Sequence, residues 1–227
     1  MLCDLPSSAP RRELARMPPA AAPLRPGTKG ESTFLRLIGG APSAADVPPA
    51  HLREALQDND IAAAEGPERV LLTFLFTDIV GSTETAERLG DRAWCRLLMQ
   101  HHAVVRSHLG RFGGIEMDTA GDGFFVVFDR PSRALQFAAA VRSALAEIGL
   151  TIRVGVHAGE CEIAGGRAEG VAVHVAARVT GAASQGEILV SSTVRDLLAG
   201  SGLRFSGRDA HTFKGLAEPR FLFALDS

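Results

Sequence analysis

The chain has 227 residues, enough for one ordinary domain with an appendage or for two very small domains. Hydrophobic residues make up 46% and charged residues 22%, the balance of a soluble globular protein, and the net charge of −2 gives no general attraction to nucleic acid or a membrane surface. No apolar run reaches the ~18 residues of a transmembrane segment, and the N-terminus lacks the apolar core of a signal peptide. Cys3, Cys95 and Cys161 fit no zinc spacing and read as reduced thiols of a cytoplasmic protein.

Nine of the twelve prolines precede residue 66, in runs such as PPAAAPLRPG (18–27). Proline removes backbone donors and disfavours helix in its predecessor, so residues 1–66 are expected to form a largely disordered N-terminal segment. An apolar stretch at 33–38 and a short helix over 49–64 interrupt it. Residues 67–227 are expected to form the folded domain. There VLLTFLFT (70–77) is a continuous apolar run, the pattern of a strand buried on both faces. A turn at 81–83 opens a helical stretch. A second helix over 91–110 carries Trp94, Leu97, Leu98, His101, Val104, Val105 and Leu109 on one face. Residues 111–128 read as a hairpin turning at Ala120–Gly123. A proline-initiated helix over 131–148, a strand over 151–159, a helix over 171–184 and a strand over 186–191 follow. A short helix (192–199) and strands near 203–213 and 220–225 end the chain. This order predicts an α+β fold: a ferredoxin-like split βαβ core with a central, antiparallel-containing sheet and C-terminal additions.

Two segments carry chemistry. In FTDIVGST (76–83) a buried strand ends on Asp78, and an aspartate there is costly unless paired or bound to a cation. Gly81, Ser82 and Thr83 then present backbone N–H groups at a helix N-terminus, a cradle for phosphate. In TAGDGFF (119–125) Asp122 occupies the hairpin turn. Alone, the first aspartate reads as a helix cap and the second as a turn residue. If the strands 70–77 and 111–118 are neighbours, both carboxylates converge at one sheet edge, as hard oxygen ligands for Mg²⁺ or Mn²⁺ on a polyphosphate. No GxxxxGK[ST], HExxH or GxSxG is present, which removes support for P-loop, zinc-protease and serine-hydrolase readings.

Together FTDIVGST, TAGDGFF, VAVHVAARV (171–179) and FKGL (213–216) resemble the catalytic domain of class III adenylate/guanylate cyclases, closest to the compact bacterial, actinobacterial-type branch. The resemblance covers roughly residues 68–225. It implies a homodimer with sites at the subunit interface, converting ATP to 3′,5′-cyclic AMP and pyrophosphate. One protomer would supply the ligands of two divalent cations, Mg²⁺ or Mn²⁺: Asp78, Asp122 and the Ile79 carbonyl. The other would supply the transition-state arginine, Arg178, and a phosphate-binding lysine, Lys214. Without the resemblance, Arg178 reads as a surface arginine and Lys214 as a turn lysine.

The ribose-orienting asparagine of the family is His174 here, either a variant able to donate one hydrogen bond or a half-buried helix histidine. At the base-selecting positions a lysine and an aspartate are replaced by Asp118 and Arg167, so the charges are exchanged. Either the pair reads adenine from swapped sides, or the two side chains bind each other and the base pocket is closed or unselective. The alternatives to an adenylate cyclase are therefore a guanylate cyclase and a catalytically weak nucleotide-binding module that dimerises.

Overall fold

The computed structural model describes residues 68–226, apart from 165, 216 and 217. The expected features of residues 1–66, and Cys3, lie outside the described residues. The apolar run forms β1 (Glu68–Ile79), which is central and antiparallel to both its neighbours. Its alternate residues serve two layers: Leu75 packs on one face and Leu72 and Phe74 on the other, all buried.

After β1 come helices α1 (Ser82–Leu89) and α2 (Asp91–Phe112), the hairpin β2 (Ile115–Ala120) and β3 (Gly123–Phe128), and helix α3 (Pro131–Glu147). The chain continues through β4 (Ile152–Ala164), β5 (Arg167–Glu169), α4 (Val171–Ala182), β6 (Ile188–Ser191), α5 (Ser192–Leu197), β7 (Phe205–His211) and β8 (Arg220–Leu225). The sheet order is β2-β3-β1-β4-β6-β8-β7, with β5 attached to β4. The first four strands with α2 and α3 make the expected ferredoxin-like core. β6 adds parallel to β4, and β8 and β7 extend the sheet antiparallel.

Three boundaries or pairings differ from those the sequence suggests. The first hairpin strand does not begin at 111, because α2 continues through Phe112, whose ring is wholly buried, and ends on Gly113 at φ +65°. Nor does that strand lie beside β1: β3 intervenes and β2 is the outer strand. The strand over 151–159 is also longer, running to Ala164, where it folds back as the short β5.

α2, α3 and α5 pack on one face of the sheet, and among the described residues α4 is the helix that packs on the other. α3 is buried from Arg133 through Val141, a helix enclosed nearly all round. α4 sits unusually close to β4. A Cβ on Gly155 would meet Thr180 N at 2.2 Å, and one on Gly159 would meet Ala172 Cβ at 2.9 Å. These two glycines set the seat of α4. Among the described residues no disulfide forms, and burial pushes the Cys161 thiol up to about 11, which leaves it unreactive.

Candidate active site

Asp78 closes β1. It follows Leu72, Phe74 and Phe76 in the strand's alternation, so its side chain emerges on the α4 face. Arg153, its cross-strand partner on β4, donates to one oxygen, Oδ2, from Nε at 2.7 Å and Nη2 at 2.5 Å. Both side chains are about one-third exposed, 32% for Asp78 and 38% for Arg153, so the pair contributes no more than about 1 kcal/mol. Reading along the sequence missed Arg153. Its only signal was a guanidinium at the start of an otherwise apolar strand.

Asp122 lies in the two-residue turn between β2 and β3. Gly121 takes φ +62° and Asp122 a negative φ, the pattern of a type II′ hairpin turn, which requires glycine at its first position. The Thr77–Phe124 pairing of β1 with β3 places Gly123 opposite Asp78, so the two carboxylates share one end of the sheet. The two residues thus share that end through β3, not through the adjacency of strands 70–77 and 111–118 on which their convergence was conditional. Asp122 Oδ2 is buried and has no hydrogen-bond partner. A buried, unpaired acceptor is costly, and a cation satisfies it.

The donor set fits Mg²⁺ or Mn²⁺. It offers two carboxylates at one end of the sheet, and among the described residues no cage of three or more His, Cys, Asp or Glu forms. Such ions are commonly held by one or two carboxylates, with substrate phosphates filling the remaining positions. Next to Ile79, Gly81 at φ +63° precedes α1, and no side chain caps that helix. The amides of Ser82 and Thr83 open the helix there, and Gly81 supplies the sharp turn.

His174 and Arg178 lie one turn apart on α4, the first exposed and the second half-buried. Neither bonds to Asp78 or Asp122 within the chain, and Lys214 is exposed in the turn before β8. Asp118 is exposed on β2, where its Oδ1 accepts the Thr119 N–H at 2.8 Å. Arg167 is exposed on β5. Asp118 stands opposite Phe125, near the Asp78 end, and Arg167 opposite Ala164, at the far end of β4. No ion pair joins them, so the mutually bound arrangement is not the one found.

Among the described residues, α4 covers only part of its face of the sheet. There Phe76 and Phe125 stack with ring centroids 4.4 Å apart, and both are half-buried, as are Ile115 and Met117.

Residues 67–225 match the adenylate and guanylate cyclase catalytic domain. The chain belongs to this family. The cyclase domain is 32% identical over 152 residues to an adenylate cyclase of Lachancea kluyveri, an alignment covering 53% of this chain but only 8% of that protein. It superposes on the crystal structure of the adenylyl cyclase CyaB from P. aeruginosa with a TM-score of 0.64 and 24% identity, covering 71% of this chain and 96% of that one. The guanylate cyclase domain of RhGC from Catenaria anguillulae, solved with GTP, gives a TM-score of 0.62 at 18% identity, covering 70% and 98%. One fold thus serves both bases, and the cyclase fold alone does not select between them. Among the described residues no helix is long and apolar enough to cross a membrane.

Proposed function

We propose that this cyclase domain converts ATP to 3′,5′-cyclic AMP and pyrophosphate, at sites shared between two copies of the chain. The observation that carries the reading is that Asp78 and Asp122, whose Oδ2 has no partner, stand at one end of the sheet near an uncapped helix N-terminus. In the reaction a bond forms between the ribose 3′-oxygen and the α-phosphorus. The α–β bridging bond breaks, pyrophosphate leaves, and the hydroxyl proton passes to solvent. Two divalent cations, held by Asp78, Asp122 and the Ile79 carbonyl, would supply Lewis acidity toward the hydroxyl and offset triphosphate charge.

The chain's own groups do the rest. The amides at Gly81, Ser82 and Thr83 receive phosphate oxygens. Arg153 already balances the Asp78 carboxylate. Its forked guanidinium, about one-third exposed beside Asp78, would also suit phosphate oxygens. From the second copy, Arg178 offsets charge on the transferring phosphoryl group, Lys214 offsets charge on the leaving group, and His174 donates to the ribose. Two features support a shared site: Arg178 and His174 make no hydrogen bond to Asp78 or Asp122 within the chain, and the Phe76–Phe125 surface is only half-buried among the described residues. The same pairing would bury that surface.

A second reading, GTP as substrate, rests on Asp118. Its exposed carboxylate can accept from the N1–H and amino group of guanine. Product identification after incubation with Mn²⁺-ATP and, separately, Mn²⁺-GTP decides between them. Cyclic AMP from ATP is expected. Cyclic GMP alone would establish the second reading, and metal-dependent nucleotide binding without either product would reduce the domain to a binding module.

A further inference from the structure

The turn that carries Asp122 is poorly held by its own strand. Among the described residues β2 is the outer strand of the sheet, paired on one side only, and its register slips between Glu116 and Asp118. The buried, partnerless Oδ2 of Asp122 also favours movement of the turn toward solvent. Something must hold the carboxylate in place before a cation arrives.

Helix α2 supplies three ties. His102 Nε2 lies 2.9 Å from the carbonyl oxygen of Gly121, the residue preceding Asp122, and donates to it with the proton on Nε2. The rings of His101 and His102 meet the buried Phe124 ring edge-on, at centroid distances of 5.5 and 5.2 Å. One turn further along, Arg106 donates to both oxygens of Glu116, at 2.9 and 2.7 Å, and its guanidinium lies 5.4 Å from the Phe124 ring centre. Glu116 in turn accepts from Thr119 Oγ1 at 2.7 Å. The Arg106 hydrogen bonds hold the Glu116 carboxyl below its usual range, so it stays ionised and the tie persists at neutral pH. Phe124 is also pinned from the opposite side, its amide donating to Thr77 Oγ1 at 3.3 Å.

We infer that His102 is a positioning residue for the site: its hydrogen bond to the Gly121 carbonyl fixes the peptide that aims the Asp122 carboxylate at the shared end of the sheet. The partner of His102 is the Gly121 carbonyl, not the Asp122 carboxylate. It acts on the orientation of the turn, as hydrogen-bonding partners behind a metal ligand do. The inference rests on the reading of Asp122 as a cation ligand.

The test measures Mn²⁺ binding by electron paramagnetic resonance with inorganic triphosphate, a probe indifferent to base selection. His102→Phe keeps the ring packing on Phe124 and removes the donor, His102→Asn is too short to reach the Gly121 oxygen, and His102→Gln restores a donor. The Phe and Asn variants are expected to bind Mn²⁺ about tenfold more weakly or worse, and the Gln variant close to wild type, with melting temperatures little changed. Wild-type affinity in the Phe and Asn variants, or a Gln variant as weak as they are, would overturn the inference. Asp122→Asn serves as the control. If it binds Mn²⁺ like wild type, the reading of Asp122 falls and the inference with it. If it weakens binding while the His102 variants do not, the inference alone falls.

Discussion

Asp78→Asn is expected to lower kcat by about a thousandfold or more while the domain stays folded. The substitution conserves shape and removes the charge that would hold a cation against the triphosphate. Its structural cost is small, because the partner lost among the described residues is Arg153, which is 38% exposed and regains water. Steady-state rates at saturating Mn²⁺, with circular dichroism as the folding control, check both halves of the expectation. Turnover near the wild-type rate would remove Asp78 from the chemistry. Deep loss of stability would mean that its pairing with Arg153 matters more to the fold than its exposure implies.

The second large effect is on architecture. Gly155→Ala is expected to destabilise the domain by about 3 kcal/mol. For a domain of this size that corresponds to a melting temperature lower by roughly 10 °C. The added methyl would stand 2.2 Å from Thr180 N and 2.5 Å from Thr180 Cα, both backbone atoms. Thr180 cannot rotate away from the clash: its hydroxyl is bonded to the Ala176 carbonyl at 3.1 Å within α4, so the whole helix must shift. Because α4 carries His174 and Arg178, the displacement should also cost activity in whatever fraction remains folded. A calorimetric melting curve unchanged from wild type would show that α4 yields at its seat without cost.

What the sequence made legible follows from locality. β1 stood out because a strand covered on both faces cannot alternate, and α2 because its buried His101, Val105 and Leu109 recur at helical spacing. The hairpin turn at Gly121–Asp122 was visible from glycine chemistry alone. Pairing between distant strands was not. Nothing local distinguishes β2 from β3 as the neighbour of β1, and the register that brings Asp122 to Asp78 exists only in the folded sheet. Arg153 was missed for the same reason: it lies 75 residues from Asp78 in sequence and meets it only across β1 and β4. β5 escaped notice because its three residues carry one buried side chain, Ala168, too short a pattern to register. The exchanged charges at Asp118 and Arg167 were plain in the sequence, whereas their separation along the sheet needed the register of β2 and β4.

The shared site has a direct test in mixed chains. Asp78→Asn lacks a cation ligand and Arg178→Ala lacks the arginine offered to the other copy, so each should be nearly inactive alone. Mixed in equal amounts and allowed to exchange, half of the dimers carry one chain of each kind. One of the two sites in every such dimer is then built wholly from intact residues, so the mixture should regain about a quarter of the wild-type rate. A mixture that stays as inactive as its components, under conditions where exchange is demonstrated, would contradict a site divided between two copies.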